Sequence, residues 1–183
     1  MRDPEIGIPH PECTHNMCKR SDKELKRGKS YCLRLLSVRP RSEHEIDVRL
    51  KGKGYAGDFR KVLLDSLKSE GLVNDLEFAK EWIDWRLRSN PRAKRMIKAE
   101  LEIKGVSENV IEEAIGDKYE KIDERAIARN LVRKKLKDSS RELIPGYHLK
   151  LKAKLYRFLG SRGFEEEVIE DVLGEELGID HRQ

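Results

Sequence analysis

The stretches IDVRLKGKGY (residues 46–55), IKAELEIKGV (residues 97–106) and LYRFLGSRGF (residues 155–164) follow one plan. Each closes on a basic residue, a glycine and an apolar residue: Lys53-Gly54-Tyr55, Lys104-Gly105-Val106 and Arg162-Gly163-Phe164. Four and eight places before the glycines stand Leu50 and Ile46, Leu101 and Ile97, and Leu159 and Leu155, the spacing of one stripe on an α-helix. The glycine then reads as the helix stop, where a positive φ costs least.

Working outward, Phe59, Leu63 and Leu64 correspond to Val110, Ala114 and Ile115 and to Val168, Val172 and Leu173, so a helix follows each glycine. Upstream, Cys32, Leu35 and Leu36 match Ala79, Trp82 and Ile83, then Ala128, Leu131 and Val132, which places a helix before each stripe. Start signals agree: Ser42 with Glu45 and Asn74 with Glu77 read as capping boxes, Pro91 suits a first helical turn, and Ser107 suits a cap. No segment alternates with period two. The expectation is an all-α chain of three tandem three-helix repeats forming an elongated, curved array. The repeats span residues 29–72, 73–119 and 120–183, after a flexible N-terminal tail at 1–28. The extra length of the third copy falls in a loop at 138–147, with Ser139, Ser140, Pro145 and Gly146.

The 183 residues are 40% charged and 37% apolar, with 6% aromatic, a balance that suits long helices with solvated faces. Apolar runs are too short for a membrane span or signal peptide, so a cytoplasmic protein is expected. Cys13, Cys18 and Cys32 are expected as free thiols in a reducing compartment.

A net charge of +5 from 39 basic and 34 acidic residues makes placement matter more than the sum. Basic positions recur in register: Arg39, Arg86 and Lys135 in the first helix, Arg41, Arg92 and Lys150 at the start of the second. In the middle copy the cluster thickens to Arg86, Arg88, Arg92, Lys94, Arg95 and Lys98 beside Trp85. In the third, Lys150, Lys154 and Arg157 share a face. Apart from Lys135, these residues, eleven from Arg39 and Arg41 to Arg157, are the candidate surface for a partner or DNA. Arg86 projects among Ala79, Trp82 and Ile83, where pairing with Glu100 competes with that role. Residues 165–180 hold eight carboxylates and no Lys or Arg, so an electrically two-sided array is expected, against the plainer reading of solvated helix faces.

No phosphate-binding loop, dinucleotide fingerprint, zincin motif or nucleophile elbow is present, and the expectation is a binding protein rather than an enzyme, without a cofactor. His10, Cys13, His15 and Cys18 are potential metal ligands, but their spacing matches no standard zinc finger, and no metal site is assigned.

The runs YCLRLLSVRPRSEHEIDVRLKGKGY (31–55), EGLVNDLEFAKEWIDWRLRS (70–89) and ELEIKGVSENVIEEAI (100–115) resemble the RecX family, regulators of the RecA recombinase. The resemblance implies three tandem three-helix repeats. It also implies binding to RecA filaments on single-stranded DNA, with suppression of ATPase, strand exchange and coprotease activity. The expected partners are therefore the filament and single-stranded DNA, with no membrane, for a monomeric protein. A stand-alone nucleic-acid-binding protein is the alternative that the basic residues alone allow.

Overall fold

The computed structural model describes residues 15–119, 122–138 and 147–178, and among them nine α-helices and no strand. In chain order they are α1 (His15–Leu36), α2 (Glu43–Gly52), α3 (Gly57–Ser69), α4 (Asp75–Ser89), α5 (Lys94–Ile103), α6 (Glu108–Tyr119), α7 (Glu124–Asp138), α8 (Tyr147–Gly160) and α9 (Glu166–Leu177). They group as three consecutive trios, α1–α3, α4–α6 and α7–α9, each around its own core.

The repeat register holds at the level of burial. Cys32, Ala79 and Ala128 are each fully buried in the first helix of their trio. Ile46 and Leu50, Ile97 and Leu101, and Leu155 and Leu159 form the buried stripe of the second. Leu63 and Leu64, Ala114 and Ile115, and Val172 and Leu173 face them from the third. Apolar burial of this kind is worth roughly 1.5–3 kcal/mol per large side chain, which is what orders short, charge-rich helices.

The three helix stops are alike in detail. Gly54, Gly105 and Gly163 have φ of +83°, +76° and +88°. Their N–H groups donate to Lys51, Glu102 and Gly160 carbonyls, and the following Tyr55, Val106 and Phe164 N–H groups reach back to Leu50, Leu101 and Leu159. This paired bonding satisfies carbonyls that the ending helix would otherwise leave open.

At the helix starts the outcome is mixed. The Asn74 side chain accepts from the N–H groups of Leu76 and Glu77, as a cap should. The Ser42 hydroxyl accepts from the Glu45 N–H at 3.1 Å, and the Glu45 carboxylate pairs with the Lys104 ammonium at 3.1 Å. Pro91 does not open a helix: α5 begins at Lys94 after an extended Ala93, and the Pro91 carbonyl instead accepts from Arg162 at 2.8 Å.

Residues 15–28, expected from the sequence as part of a flexible tail, are helical in α1. The reason lies at Gly28: a Cβ there would stand 2.9 Å from Leu63 Cδ2 and 3.3 Å from a Phe59 ring carbon, so its absence lets α1 lie close on α3. His10 and Cys13 lie outside the described residues, as do the side chains of His15 and Cys18. Ser139, Ser140, Pro145 and Gly146 lie outside them too.

The helices form two compact units. The first holds α1, α2 from Ile46 onward, and α3; the second holds Ser42–Glu45 and α4 to α9.

Candidate partner and nucleic-acid surface

Within the second unit, two joints are built from the same parts. Ser42 donates its hydroxyl to the Lys104 carbonyl at 2.6 Å, and at the equivalent place the Ala93 N–H donates to the Arg162 carbonyl at 3.0 Å. The Glu43 N–H donates to the Asp75 carboxylate at 2.8 Å, and the Lys94 N–H donates to that of Glu124 at 2.6 Å. Each acid thus caps a helix that is not its own and places negative charge at a positive helix end. Gly105 faces the His44 side chain and Gly163 faces Met96, so close that neither has room for a Cβ.

Bonds within the second trio and at its joint to the third consume many of the expected binding cations. The Arg95 guanidinium donates to the Gly163 carbonyl. The Glu100 carboxylate, nearly buried, accepts from Arg86 Nε at 2.6 Å and Trp82 Nε1 at 2.9 Å, and Arg92 lies 3.1 Å from it. The Arg86 guanidinium also sits over Trp82 and Trp85, 5.0 and 4.6 Å from the ring centroids. Trp82 belongs to this packing, while Trp85 is 47% exposed. Lys98 bridges to Glu112 at 2.6 Å and Glu108 at 3.3 Å, and those bonds hold its ammonium pKa above the ordinary lysine value.

The remaining candidates divide. Arg39 donates to the Pro40 carbonyl at 2.9 Å and Arg41 to the Leu35 carbonyl at 3.2 Å, both half-buried. Arg88 on α4 and Arg157 on α8 are exposed and, among the described residues, bond to carbonyls of their own helices, Asp84 and Ala153. The side chains of Lys94, Lys150 and Lys154 are exposed and have no carboxylate partner among the described residues. The fold therefore separates outward-facing Arg88, Lys94, Lys150, Lys154 and Arg157 from cations spent inside it.

The acidic run is likewise partly neutralised. Arg125, Arg129 and Arg133 project from α7 every four residues and meet Asp171, Glu175 and Glu176 of α9, with Arg129 Nη2 2.6 Å from Glu175 and Arg133 Nη2 2.8 Å from Glu176. Lys152 reaches Glu170 at 2.9 Å. The expected acidic face is thus a zipper between two helices of one domain, with Glu167 left outward at 83% side-chain exposure.

The comparisons with known proteins match this architecture. Three family models cover the chain in order: RecX, first three-helix domain, over residues 29–67; second three-helix domain, over 74–115; and third three-helix domain, over 123–173. Regulatory protein RecX of Mycolicibacterium smegmatis is 35% identical over 152 residues, covering 83% of this chain and 80% of that relative. The chain belongs to the RecX family. Regulatory protein RecX of Mycobacterium sp. strain KMS is 36% identical over 177 residues, with 93% of this chain and 94% of the relative covered. The crystal structure of RecX from Lactobacillus salivarius shares the fold at a TM-score of 0.69 and 20% identity, covering 86% of this chain and 99% of that one.

Each RecX domain match falls on one helical trio, so the glycine turns are the recurring device of the family fold in this chain. The exposed cations outside the candidate set include Lys23, Lys26, Arg27 and Arg34 on α1, and Lys53 in the turn after α2. Their signal was a four-residue spacing from Lys23 to Arg27 that continues to Tyr31, inside a stretch read as tail. No described helix is long and apolar enough to cross a membrane.

Proposed function

We propose that this RecX family member regulates a RecA recombinase in the cytoplasm, binding its filament on single-stranded DNA and chiefly suppressing ATPase, strand exchange and coprotease activity. The observation that carries this reading is the ordered match of all three RecX domains across residues 29–173. The chemistry is that of a binder: outward cations Arg88, Lys94, Lys150, Lys154 and Arg157 offer contacts to phosphates or to carboxylates of a protein filament.

The test is the single-stranded-DNA-dependent ATPase of a matched recombinase, titrated with the protein. Substoichiometric inhibition is expected, and charge reversal at Lys94, Lys150 and Lys154 relieves it. Absence of inhibition by the unmutated protein overturns the reading. Arg86, Arg92, Arg95 and Lys98 are poor probes, because reversing them breaks bonds inside the fold. Tight binding to bare nucleic acid with no effect on the recombinase would instead favour a stand-alone nucleic-acid-binding role.

A further inference from the structure

The basic residue before each glycine has two different fates. Lys104 is drawn into its joint, 3.1 Å from Glu45 and 4.1 Å from the centroid of Trp82. Arg162 is drawn into the other, bonded to Asn90 and to the Pro91 carbonyl and stacked 4.6 Å over Phe158. Burial beside Arg92 depresses its pKa from the ordinary arginine value, the mark of a cation enclosed by the fold. Lys53, at the same place in the first domain, is exposed, and among the described residues nothing approaches within 4 Å of where a Gly54 Cβ would stand. The turn that is covered twice in the second unit lies open in the first.

What lines that opening is not neutral. A groove of about 990 Å³ runs between the turn and α1, with Lys23, Lys26, Arg27 and Arg34 along one wall and Lys53 on the other. All five are exposed, and none has a carboxylate partner among the described residues. Among the described residues, Glu24 is the acid at its margin. The rings of Tyr31 and Tyr55 also line it; Lys53 Nζ lies 5.6 Å from the Tyr31 centroid, and Tyr55 stacks on Phe59 at 5.2 Å and 9°. Unpaired cations beside half-exposed, backed aromatic rings are the combination that holds a polyanion whose bases are free to stack. Carboxylates by themselves have no use for the rings, and a duplex hides its base faces.

We propose that this groove is a binding site for single-stranded nucleic acid, with Arg27, Arg34 and Lys53 contacting phosphates and Tyr55 receiving a base. The cationic wall from Lys23 to Arg34 spans about 16 Å at the α-helical rise. That length takes about five phosphates at the 3.4 Å spacing of a stacked strand, fewer if the strand is extended. Lys23, Lys26 and Arg27 lie before residue 29, where the first RecX domain match begins, so three of the five cations fall outside that match. The site goes beyond the recombinase reading and does not depend on it.

The test is fluorescence anisotropy of a labelled oligothymidylate with the full chain, without recombinase, over a range of salt. Arg27→Glu with Arg34→Glu should weaken binding at least tenfold and flatten the slope of log affinity against log salt by about 1.4, at about 0.7 for each lost phosphate contact. Tyr55→Leu should weaken it by about tenfold without changing the slope. Circular dichroism confirms that each variant keeps its helices; the two arginines are exposed, so their reversal carries the test if Tyr55→Leu does not fold. Three results overturn the proposal: no binding by the unmutated protein, unchanged affinity and slope in the double variant, or displacement by polyglutamate as effective as by oligothymidylate. Duplex bound as tightly as single strand overturns it as well. Recombinase ATPase is measured on the same proteins: inhibition retained by a double variant that has lost DNA binding supports a site of its own. DNA binding with no inhibition by the unmutated protein supports the groove and overturns only the recombinase reading.

Discussion

The Lys53 turn and the Lys104 turn have the same backbone, the same left-handed glycine and the same paired closing bonds, yet one is exposed and the other is covered. Nothing in the ten-residue motif distinguishes them. The difference comes from what the rest of the chain brings: His44 and Glu45 close over Gly105 and Lys104, whereas the surface around Gly54 is left to solvent. In a repeat protein, a surface that serves as glue in one repeat can be available for other chemistry in the next.

The comparison is broken most forcefully at the glycines. Gly105→Ala should cost about 3 kcal/mol in urea denaturation, because left-handed strain adds to an overlap with the root of the His44 side chain. Gly54→Ala meets only the strain and should cost about 1 kcal/mol. Equal losses would show that the cover over Gly105 contributes nothing. Gly163→Ala should fall between them, since the neighbour that must yield is a flexible methionine.

A smaller effect sharpens the same contrast in terms of charge. Glu100→Ala removes the shared acceptor of Arg86 and Trp82 and the ion partner of Arg92, and should cost about 2 kcal/mol after allowance for its partial exposure. Arg27→Ala, on the open groove, should leave the urea midpoint unchanged. A marked destabilisation at Arg27 would mean that the groove is braced by its cations rather than open.

The smallest effect is chemical. Cys32 occupies the place of Ala79 and Ala128, and burial pushes its thiol pKa up to about 11. Alkylation followed by peptide mapping should leave Cys32 unmodified at neutral pH and label it once the chain is unfolded. Because the folded pKa lies above the unfolded one, the burial of the neutral thiol stabilises fully below the unfolded value and is lost as pH rises through about 11. Rapid labelling in the native protein at pH 7 would contradict the burial.

The helices were legible because Leu50, Leu101 and Leu159 each sit four residues before a glycine, and a core position tolerates few substitutes. The binding surface was legible only in part. The pairing of Arg86 with Glu100 was legible from its place on the apolar stripe, but Arg92 looks like a surface cation until α5 brings Glu100 beside it, and Arg129 and Glu175 are far apart in sequence and bonded in space. Ion pairs of this kind have no period to read; they depend on which helix faces which. Residues 15–28 escaped because their helix is held by Gly28, a residue whose contribution is the room it leaves for Leu63 and Phe59. Pro91 misled because proline fits both a helix start and a loop that presents its carbonyl.

The cap that Glu124 lends to α5 has a consequence for biosynthesis. A chain leaving the ribosome presents Lys94 before Glu124 has been made, so α5 first forms with its leading amides turned to water. The helix is completed only when the next domain's opening residue arrives. A message truncated between the codons for Tyr119 and Glu124 yields all three helices of the second domain and omits the carboxylate that finishes one of them, leaving an end that frays and gives proteases a place to begin.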